Sequence, residues 1–398
     1  MRPVLKGKGE AHRKQIISLR RHLHRFPEVS GEEHATSEMV QEKLEEHGIP
    51  FTAGYAKTGV LGVLEGGRPG KTVALRADMD ALPIQEENDH SFVSKVDGVM
   101  HACGHDAHTA MLLGAGWLLD EVRENLPGRV LLLFQPAEEA SPTGGARRMM
   151  KEDVFREHRP DVIFAQHVWP ELPTGQVGVR RGAMTGASDR FKVTIEGKGG
   201  HASKPHQTID AIVVANQIIN SLQTVVSRDV DPLRSAVLTV GKIRGGTRYN
   251  AIAQKAMLEG TVRTFGSDTK QRVKERFHSL VGGVAEAMEA SAHIKYWDGY
   301  PATVNTTEWA ERVRKTAQDL LGPDATPEIE PSLGGEDFGR FLLEYPGAYF
   351  RLGTASPNAP EEKRLHDPRF DIDETALQPG TELLAQLAVD TLYQLEER

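Results

Sequence analysis

Hydrophobic positions in the first part of the chain fall into two patterns, short apolar runs and helical periodicity. The apolar runs, which are typical of strands covered on both faces, lie within residues 71–80, 128–139 and 161–169. Apolar residues spaced three and four apart predict helices at 10–25, 32–46 and 109–122. This alternation predicts an α/β domain, and open sheets of that class bind ligands beyond the carboxyl ends of their strands.

The pattern changes at about residue 185, where strands with alternating hydrophobic and polar residues begin. Strands are predicted at 189–196, 235–243, 255–264 and 293–297, with helices at 208–226 and 269–290. The order β-α-β-β-α-β predicts a ferredoxin-like α+β domain at 186–298, inserted into a discontinuous larger domain at 1–185 and 299–398. The last part of the larger domain is predicted to contain helices at 309–321 and 379–395, an edge strand at 347–352 and a proline-rich loop at 356–360.

Length and charge narrow the class of protein. At 398 residues the chain is longer than a single hydrophobic core usually serves, which favours two domains. The net charge of -8 offers no basic surface for nucleic acid, and no apolar run approaches the roughly 18 residues that span a membrane. The chain starts without the apolar stretch of a secretory leader, and a single cysteine excludes an intrachain disulfide. A cytoplasmic protein is expected, without nucleic acid or membrane partners.

Residues 101–109, with the sequence HACGHDAHT, contain three of the sixteen histidines and the only cysteine. A thiolate and an imidazole two residues apart converge on one cation if the backbone is extended, because side chains at i and i+2 then share a face. The spacing therefore predicts an extended, metal-binding segment. The alternative is an inert buried cysteine with solvated histidines nearby, and the density of candidate ligands argues against it.

Polar side chains follow each apolar run of the larger domain. Asp78 and Asp80 follow the first run, Glu138 and Glu139 follow the second, and His167 ends the third. Adjacent glutamates point in different directions, so one can bind a metal while the other accepts a proton from water, as metal-assisted hydrolysis requires. Taken singly, the aspartates also fit a turn, the glutamates fit surface charge and the histidine fits a core position. The repeated pattern predicts a metal site at the ends of three strands.

Six segments of the chain resemble peptidase family M20, and within it the amidohydrolase branch of aminoacylases, hippurate hydrolases and auxin-conjugate hydrolases. They are RADMDALP at 76–83, HACGHDAHT at 101–109, QPAEE at 135–139, GGHA at 199–202, GGEDF at 334–338 and LHDPRFD at 365–371. The resemblance covers nearly the whole chain. It implies a zinc-peptidase-like α/β catalytic domain, with the inserted domain as a lid and dimerisation domain of a homodimer or homotetramer.

The resemblance also implies a metal centre and a reaction. Two divalent metal ions per subunit would be bound by Cys103, His105, Glu139, His167 and His366. A thiolate ligand favours zinc, while the oxygen and imidazole ligands also accept manganese, cobalt or nickel. Glu138 would act as general base, and a metal-bound hydroxide would hydrolyse the amide bond of N-acyl-L-amino acids to a carboxylate and a free amino acid.

Three residues of the inserted domain complete the implied site. His201 would stabilise the oxyanion, Asn250 would assist it, and Arg263 would bind the substrate carboxylate. The family often has Asn-Val-Ile-Pro where this chain has NAIA at 250–253, so the segment after Asn250 lacks a stiffening proline. That departure weakens the assignment of Asn250.

A second departure concerns residues 78–80, where the related peptidases have His-x-Asp. Those peptidases also have aspartate in place of the cysteine, which makes Cys103 the residue that indicates the amidohydrolase branch. Asp80 is therefore interpreted as a residue that orients a ligand histidine rather than as a ligand.

Three other functions are compatible with parts of the pattern. A metallo-carboxypeptidase or dipeptidase of the same fold would use the same metal centre on unblocked peptides. A non-catalytic metal-binding protein would have no use for a base, so the presence of Glu138 beside five candidate ligands argues against it. A hydrolase with Cys103 as nucleophile would leave Glu138, Glu139 and His366 without a role.

Overall fold

The computed structural model describes residues 2–356 and 364–398, so most of the loop predicted at 356–360 lies outside the described residues. Strands β1 to β15 are Phe51–Tyr55, Gly59–Glu65, Arg68–Asp78, Pro127–Gln135, Val162–Pro173, Val177–Gly178, Gly182–Thr185, Ala187–Glu196, Gly200–His201, Ala236–Gly245, Ala251–Ile252, Lys255–Thr264, Ser291–Tyr300, Thr303–Asn305 and Gly347–Ala355. Helices α1 to α9 are Arg13–Arg25, His34–Glu46, His105–Asp120, Gly145–Lys151, Ala211–Thr224, Ser267–Ala287, Thr307–Leu321, Gly339–Leu342 and Leu377–Glu396.

The chain divides into two compact units. The first unit comprises Met1–Met184, Thr303–Glu330 and Asp337–Arg398, and the second comprises Thr185–Ala302 and Pro331–Glu336. The second unit also includes the short segment Pro331–Glu336. The sequence had predicted this segment to belong to the larger domain, as part of 299–398. A role of the second unit as a lid and dimerisation domain stays a prediction.

A seven-stranded sheet in the order β1-β2-β4-β3-β5-β15-β6 forms the centre of the first unit. Strands β4, β3, β5 and β15 run parallel, whereas β1, β2 and β6 pair antiparallel. Along β4, Val130 and Leu132 pack in one apolar cluster and Leu131 and Leu133 in another, so both faces of the sheet are covered. The predicted α/β fold class is confirmed.

Strand β15 does not lie at the edge of this sheet, as its sequence had suggested. It pairs with β5 on one side and with the two residues of β6 on the other, and all its residues except Ala355 are buried. The prediction of an edge strand was wrong because β6 is too short to leave a recognisable hydrophobic pattern in the sequence.

The second unit is built on a four-stranded antiparallel sheet in the order β10-β12-β8-β13. Along β8, Phe191, Val193 and Ile195 are buried and alternate with more exposed residues, which is the period expected of a sheet covered on one face. These side chains form one core with buried residues of α5 and α6, including Ile218 and Phe277. The element order and sheet order are those of the predicted ferredoxin-like unit.

The longest helices, α6 and α9, differ in their surroundings. Helix α6 buries only Val273, Phe277, Val281 and Ala285, so most of its surface is polar. Helix α9 is buried along most of its length and carries polar residues such as Glu382 among its apolar ones. Within the described ranges, no helix combines the length and the apolar character needed to cross a membrane.

Candidate metal centre

The segment 101–109 bends sharply instead of extending. Gly104 has a φ of 82°, and α3 begins at the next residue, His105. A side chain at position 104 would also collide with Val168, because its Cβ would lie 2.3 Å from Cγ2 of that residue. The predicted extended conformation was wrong, since the positive φ of a glycine turns the chain directly into a helix.

The bend nevertheless brings candidate ligands of the first unit together in two groups. Donor atoms of Cys103, His105 and His167 lie within 4.8 Å of one another, and so do donor atoms of Cys103, Glu139 and His366. The two groups share the sulfur of Cys103. Nε2 of His366 lies 3.1 Å from Oε1 of Glu139, and the backbone N–H of His366 donates to the carbonyl of Ala102 at 2.8 Å. Donor atoms of all five predicted ligands therefore lie in one cluster.

Hydrogen bonds orient two of the histidine rings toward the shared sulfur. Nδ1 of His167 donates to the carbonyl of Val168 at 2.7 Å, which leaves the Nε2 lone pair directed at the sulfur of Cys103, 3.5 Å away. Nδ1 of His105 lies 3.3 Å from Oδ1 of Asp80. Nε2 of His105 is buried and has no hydrogen-bond partner within residues 2–356 and 364–398. A buried orphan nitrogen beside a sulfur and carboxylates fits a divalent cation.

The charges around the cluster favour positive charge and disfavour a free thiolate. Burial alone would lower the pKa of His105, but the carboxylates of Asp78 and Asp80 outweigh it and raise that pKa to about 10. Burial, followed by Glu139 and Glu138, raises the pKa of the Cys103 thiol well above its ordinary value. An activated cysteine nucleophile needs the opposite shift, so the pKa argues against nucleophilic catalysis by Cys103.

Asp80 connects the candidate ligand His105 to the two glutamates. Its Oδ1 accepts from the backbone N–H of Glu138 at 3.0 Å, and its Oδ2 accepts from the backbone N–H of Glu139 at 2.9 Å. The hydroxyl of Ser30 also donates to Oδ2, and His105 lies against Oδ1. The geometry agrees with an orienting role for Asp80 and adds the two glutamate amides, which sequence reasoning had missed.

Asp337 is a second buried carboxylate that the motif at 334–338 contained without an assigned role. It accepts from Nη2 of Arg76 at 3.1 Å and from Nε2 of Gln135 at 2.8 Å. Its own backbone N–H lies 3.3 Å from Oε1 of Glu138. Because these partners are some 200 positions apart in the chain, only the fold reveals that Asp337 supports the carboxylate of Glu138.

His108 and Asp78 support the strand that carries His167. Nδ1 of His108 donates to Oδ1 of Asp78 at 2.6 Å, and its Nε2 accepts from the backbone N–H of Val168 at 2.8 Å. Burial would raise the pKa of Asp78, but Arg76 and the nearby histidines hold it well below its ordinary value. His167 lies within β5 rather than at its end, since that strand continues to Pro173.

The residues that form this cluster lie in a part of the chain that matches a known protein family. Residues 74–390 match Peptidase family M20/M25/M40. The chain belongs to this family. The match contains the candidate ligands Cys103, His105, Glu139, His167 and His366, and it confirms the resemblance found in the sequence.

Relatives of this M20 chain align along almost its whole length. N-acetyl-L-cysteine deacetylase from Bacillus subtilis is 42% identical over 384 residues, or 96% of this chain and 90% of that protein. Thermostable carboxypeptidase 1 from Saccharolobus solfataricus is 40% identical over 376 residues, or 94% of each chain. The crystal structure of a dinuclear metal-binding M20 peptidase from Bacillus subtilis is 37% identical, with a TM-score of 0.84, and covers 96% of this chain and 99% of that one. The M20 chain is a hydrolase, as predicted.

The remaining residues implied by the M20 resemblance lie in the second unit. His201 on β9 pairs with Ala251 on β11, which places Asn250 next to this two-stranded ribbon. Nδ1 of His201 accepts from the backbone N–H of Ser203 at 3.2 Å, so the proton of the neutral ring lies on Nε2. Arg263 is a partly buried residue of β12, and burial lowers the pKa of its guanidinium.

Proposed function

We propose that this M20 hydrolase cleaves the amide bond of N-acyl-L-amino acids, giving a carboxylate and a free amino acid. The observation that carries the proposal is the position of Glu138, whose carboxylate lies within 4.8 Å of donor atoms of His105 and Glu139. A structural metal site needs no such base, so its presence favours metal-assisted hydrolysis. The relative named N-acetyl-L-cysteine deacetylase supports an N-acyl amino acid as the substrate.

Two divalent cations per subunit fit the two donor groups that share Cys103. The first group would consist of Cys103, His105 and His167, and the second of Cys103, Glu139 and His366. The solved relative described as a dinuclear metal-binding peptidase supports the same number. The thiolate favours zinc, and manganese, cobalt and nickel are compatible with the other ligands. When bound, the cations polarise the amide carbonyl and lower the pKa of a water molecule.

Glu138 performs the proton transfers in this proposal. It accepts a proton from the attacking water and passes it to the nitrogen of the leaving amino acid. The N–H of Asp337 at Oε1 and the contact of Asp80 with the Glu138 amide restrict how the carboxylate can turn. A base held in this way needs no reorganisation when the reaction begins.

The proposal also gives roles to three residues that the M20 resemblance implies. His201 presents a donor at Nε2, which suits stabilisation of the oxyanion, and Asn250 assists it. Arg263 offers a planar guanidinium that binds a carboxylate with two hydrogen bonds. The free carboxylate of an N-acyl amino acid is the group that Arg263 would recognise.

The Arg263→Ala variant is expected to lose about 10- to 100-fold in kcat/KM on N-acyl amino acids, which is the usual value of hydrogen bonds to a charged group. The loss should be much smaller on the corresponding N-acyl amino acid amides, since these have no carboxylate. Steady-state kinetics on both substrate series measures the difference. Arg190→Ala, which removes an exposed arginine of the neighbouring strand β8, is the control. Equal losses on acids and amides would refute the carboxylate role.

The proposed reaction is tested by a substrate screen on purified protein with metal analysis. N-acetyl and N-benzoyl L-amino acids should be hydrolysed, chelation should abolish the activity, and zinc or manganese should restore it. The relative named a carboxypeptidase makes unblocked dipeptides and N-blocked dipeptides the necessary comparison. Faster cleavage of peptides than of N-acyl amino acids would identify a peptidase of the same fold instead.

The proposal includes an oligomeric state and a cytoplasmic location. Strand β10 lies at one edge of the second unit's sheet, and its residues 241–245 are exposed, so a second copy can extend the sheet there. We therefore propose a homodimer, or a homotetramer built from it. A cysteine that serves as a metal ligand also suits the reducing cytoplasm.

A further inference from the structure

The loop that carries Glu138 is attached to buried carboxylates through three consecutive backbone amides. The N–H groups of Glu138 and Glu139 donate to Asp80 at 3.0 and 2.9 Å. The N–H of Ala137 donates instead to Oε1 of Glu33 at 2.8 Å. Glu33 therefore completes a row of anchors in which each amide from Ala137 to Glu139 has a carboxylate partner.

The carboxylate of Glu33 accepts hydrogen bonds from this loop rather than from its own helix. It stands at the N-cap position of α2, where a polar side chain usually accepts from the helix amides, but its carboxylate makes no such bond. Its Oε1 also accepts from the N–H of Gly31 at 2.7 Å, and its Oε2 accepts from the hydroxyl of Thr58 at 2.7 Å. The side chain is fully buried, with 0% of Glu33 exposed.

The backbone of Ala137 explains why such an anchor is needed. Ala137 has a φ of 55°, in the left-handed region that residues other than glycine rarely adopt. A conformation of this kind persists only where the surroundings hold it in place. The N–H of Ala137 is held by Glu33, and the carbonyl of Ala137 accepts from the N–H of Gly145 at 2.9 Å. The turn at Ala137 sets the direction in which the next side chain, Glu138, leaves the backbone.

We propose that Glu33 is a positioning residue for the reaction, which holds the turn at Ala137 and thereby directs the carboxylate of Glu138. The inference rests on the proposed role of Glu138 as general base. Glu33 acts through the backbone of Ala137, whose N–H donates to its carboxylate. Its loss affects the rate of the chemical step more than substrate binding, because the geometry of the base matters most in the transition state.

The decisive variant is Glu33→Met, which fills a similar volume and removes both acceptor oxygens. We expect kcat to fall by about 10- to 100-fold, the range found for outer partners of metal sites, with little change in KM. Amide hydrogen exchange at residues 137–139 should become faster, a readout that does not depend on turnover. Glu33→Gln keeps an oxygen that accepts from Gly31 and Ala137, so it should retain most of kcat.

Glu382→Met is the matched control for a general loss of stability. Glu382 is also buried, at 6% exposure, and also accepts from loop amides, those of Gly7 and Gly9, at 3.0 Å each. It should lower the melting temperature without changing kcat or the exchange at 137–139. Should Glu33→Met not fold, Glu33→Asp keeps the charge but withdraws the carboxylate by one methylene, and an intermediate loss of kcat is expected.

The proposal is overturned if Glu33→Met, or Glu33→Asp in its place, leaves kcat and exchange at the wild-type values. It is also overturned if Glu382→Met lowers kcat as much as Glu33→Met does, since both effects would then be general. Failure of the proposed reaction is recognised separately, by full turnover in Glu138→Gln or by absence of hydrolysis in the wild type. The exchange measurement still tests Glu33 in that case.

Discussion

The Glu138→Gln variant is expected to lose about 100- to 10,000-fold in kcat while it keeps its metal. Glutamine retains an oxygen that accepts from the N–H of Asp337, so the loop around it should be unchanged. It has no basic oxygen that can accept the proton of the attacking water. Steady-state kinetics on an N-acyl amino acid, together with metal analysis of the same preparation, measures both parts of the prediction.

The variant Glu139→Gln distinguishes the proposed role of Glu139 as a metal ligand from that of Glu138 as a base. Glu139 belongs to the donor group with Cys103 and His366, so its replacement should lower the metal content as well as the activity. The two glutamates are adjacent and have the same charge and size, so each glutamine variant is a matched control for the other. Normal turnover in Glu138→Gln, or loss of metal from it, would contradict the assignment of Glu138 as general base.

Cys103→Ala is expected to cost more than about 100-fold in activity, because loss of an outer partner of a metal site alone costs about 10- to 100-fold. Its sulfur belongs to both donor groups, so a single replacement removes one ligand from each. Metal analysis after dialysis should find fewer than two ions per subunit. Circular dichroism and the melting temperature of the metal-free proteins control for folding.

Cys103→Asp tests whether the sulfur acts as a ligand or as a nucleophile. An aspartate supplies a carboxylate ligand at the same place, so we expect it to restore part of the metal content and activity that Cys103→Ala loses. A nucleophilic cysteine would give the opposite pattern, in which wild-type activity survives chelation, is abolished by alkylation and is absent from Cys103→Asp. Retention of both ions in Cys103→Ala would refute the ligand role.

The sequence pattern placed Glu138 and Glu139 in the candidate site because they follow a recognisable strand. The full ligand set, which includes Cys103 and His366, was implied by the M20 resemblance. Strands β3, β4 and β5 each contain a continuous apolar run. The parallel pairing of β3 with β4 brings Asp78 level with Gln135, just before the loop with Glu138 and Glu139. A sheet with helices on both faces binds ligands at that edge, so adjacent strand ends imply adjacent side chains. Local hydrophobic pattern was therefore enough to find Glu138 and its neighbours.

The sequence could not reveal how these components are held. The extended conformation predicted for 101–109 was wrong because the chain bends at Gly104. Glycine is required there by the close approach of Val168 on β5, a contact that the local sequence does not show. Glu33 resembled one of many charged residues at a helix start, yet its partner Ala137 is more than 100 positions away. Buried polar contacts over such separations leave no periodic signal, so they appear only when the chain is folded.

The order of the donors along the chain has a consequence for synthesis on the ribosome. Cys103, His105 and His167 form one donor group and all precede the second unit in the chain. The other group needs His366, which follows both the second unit and β15, the strand that pairs with β5 beside His167. A nascent chain therefore contains one complete donor group for much of its translation. A product that terminates before residue 366 lacks His366 and cannot complete the second donor group.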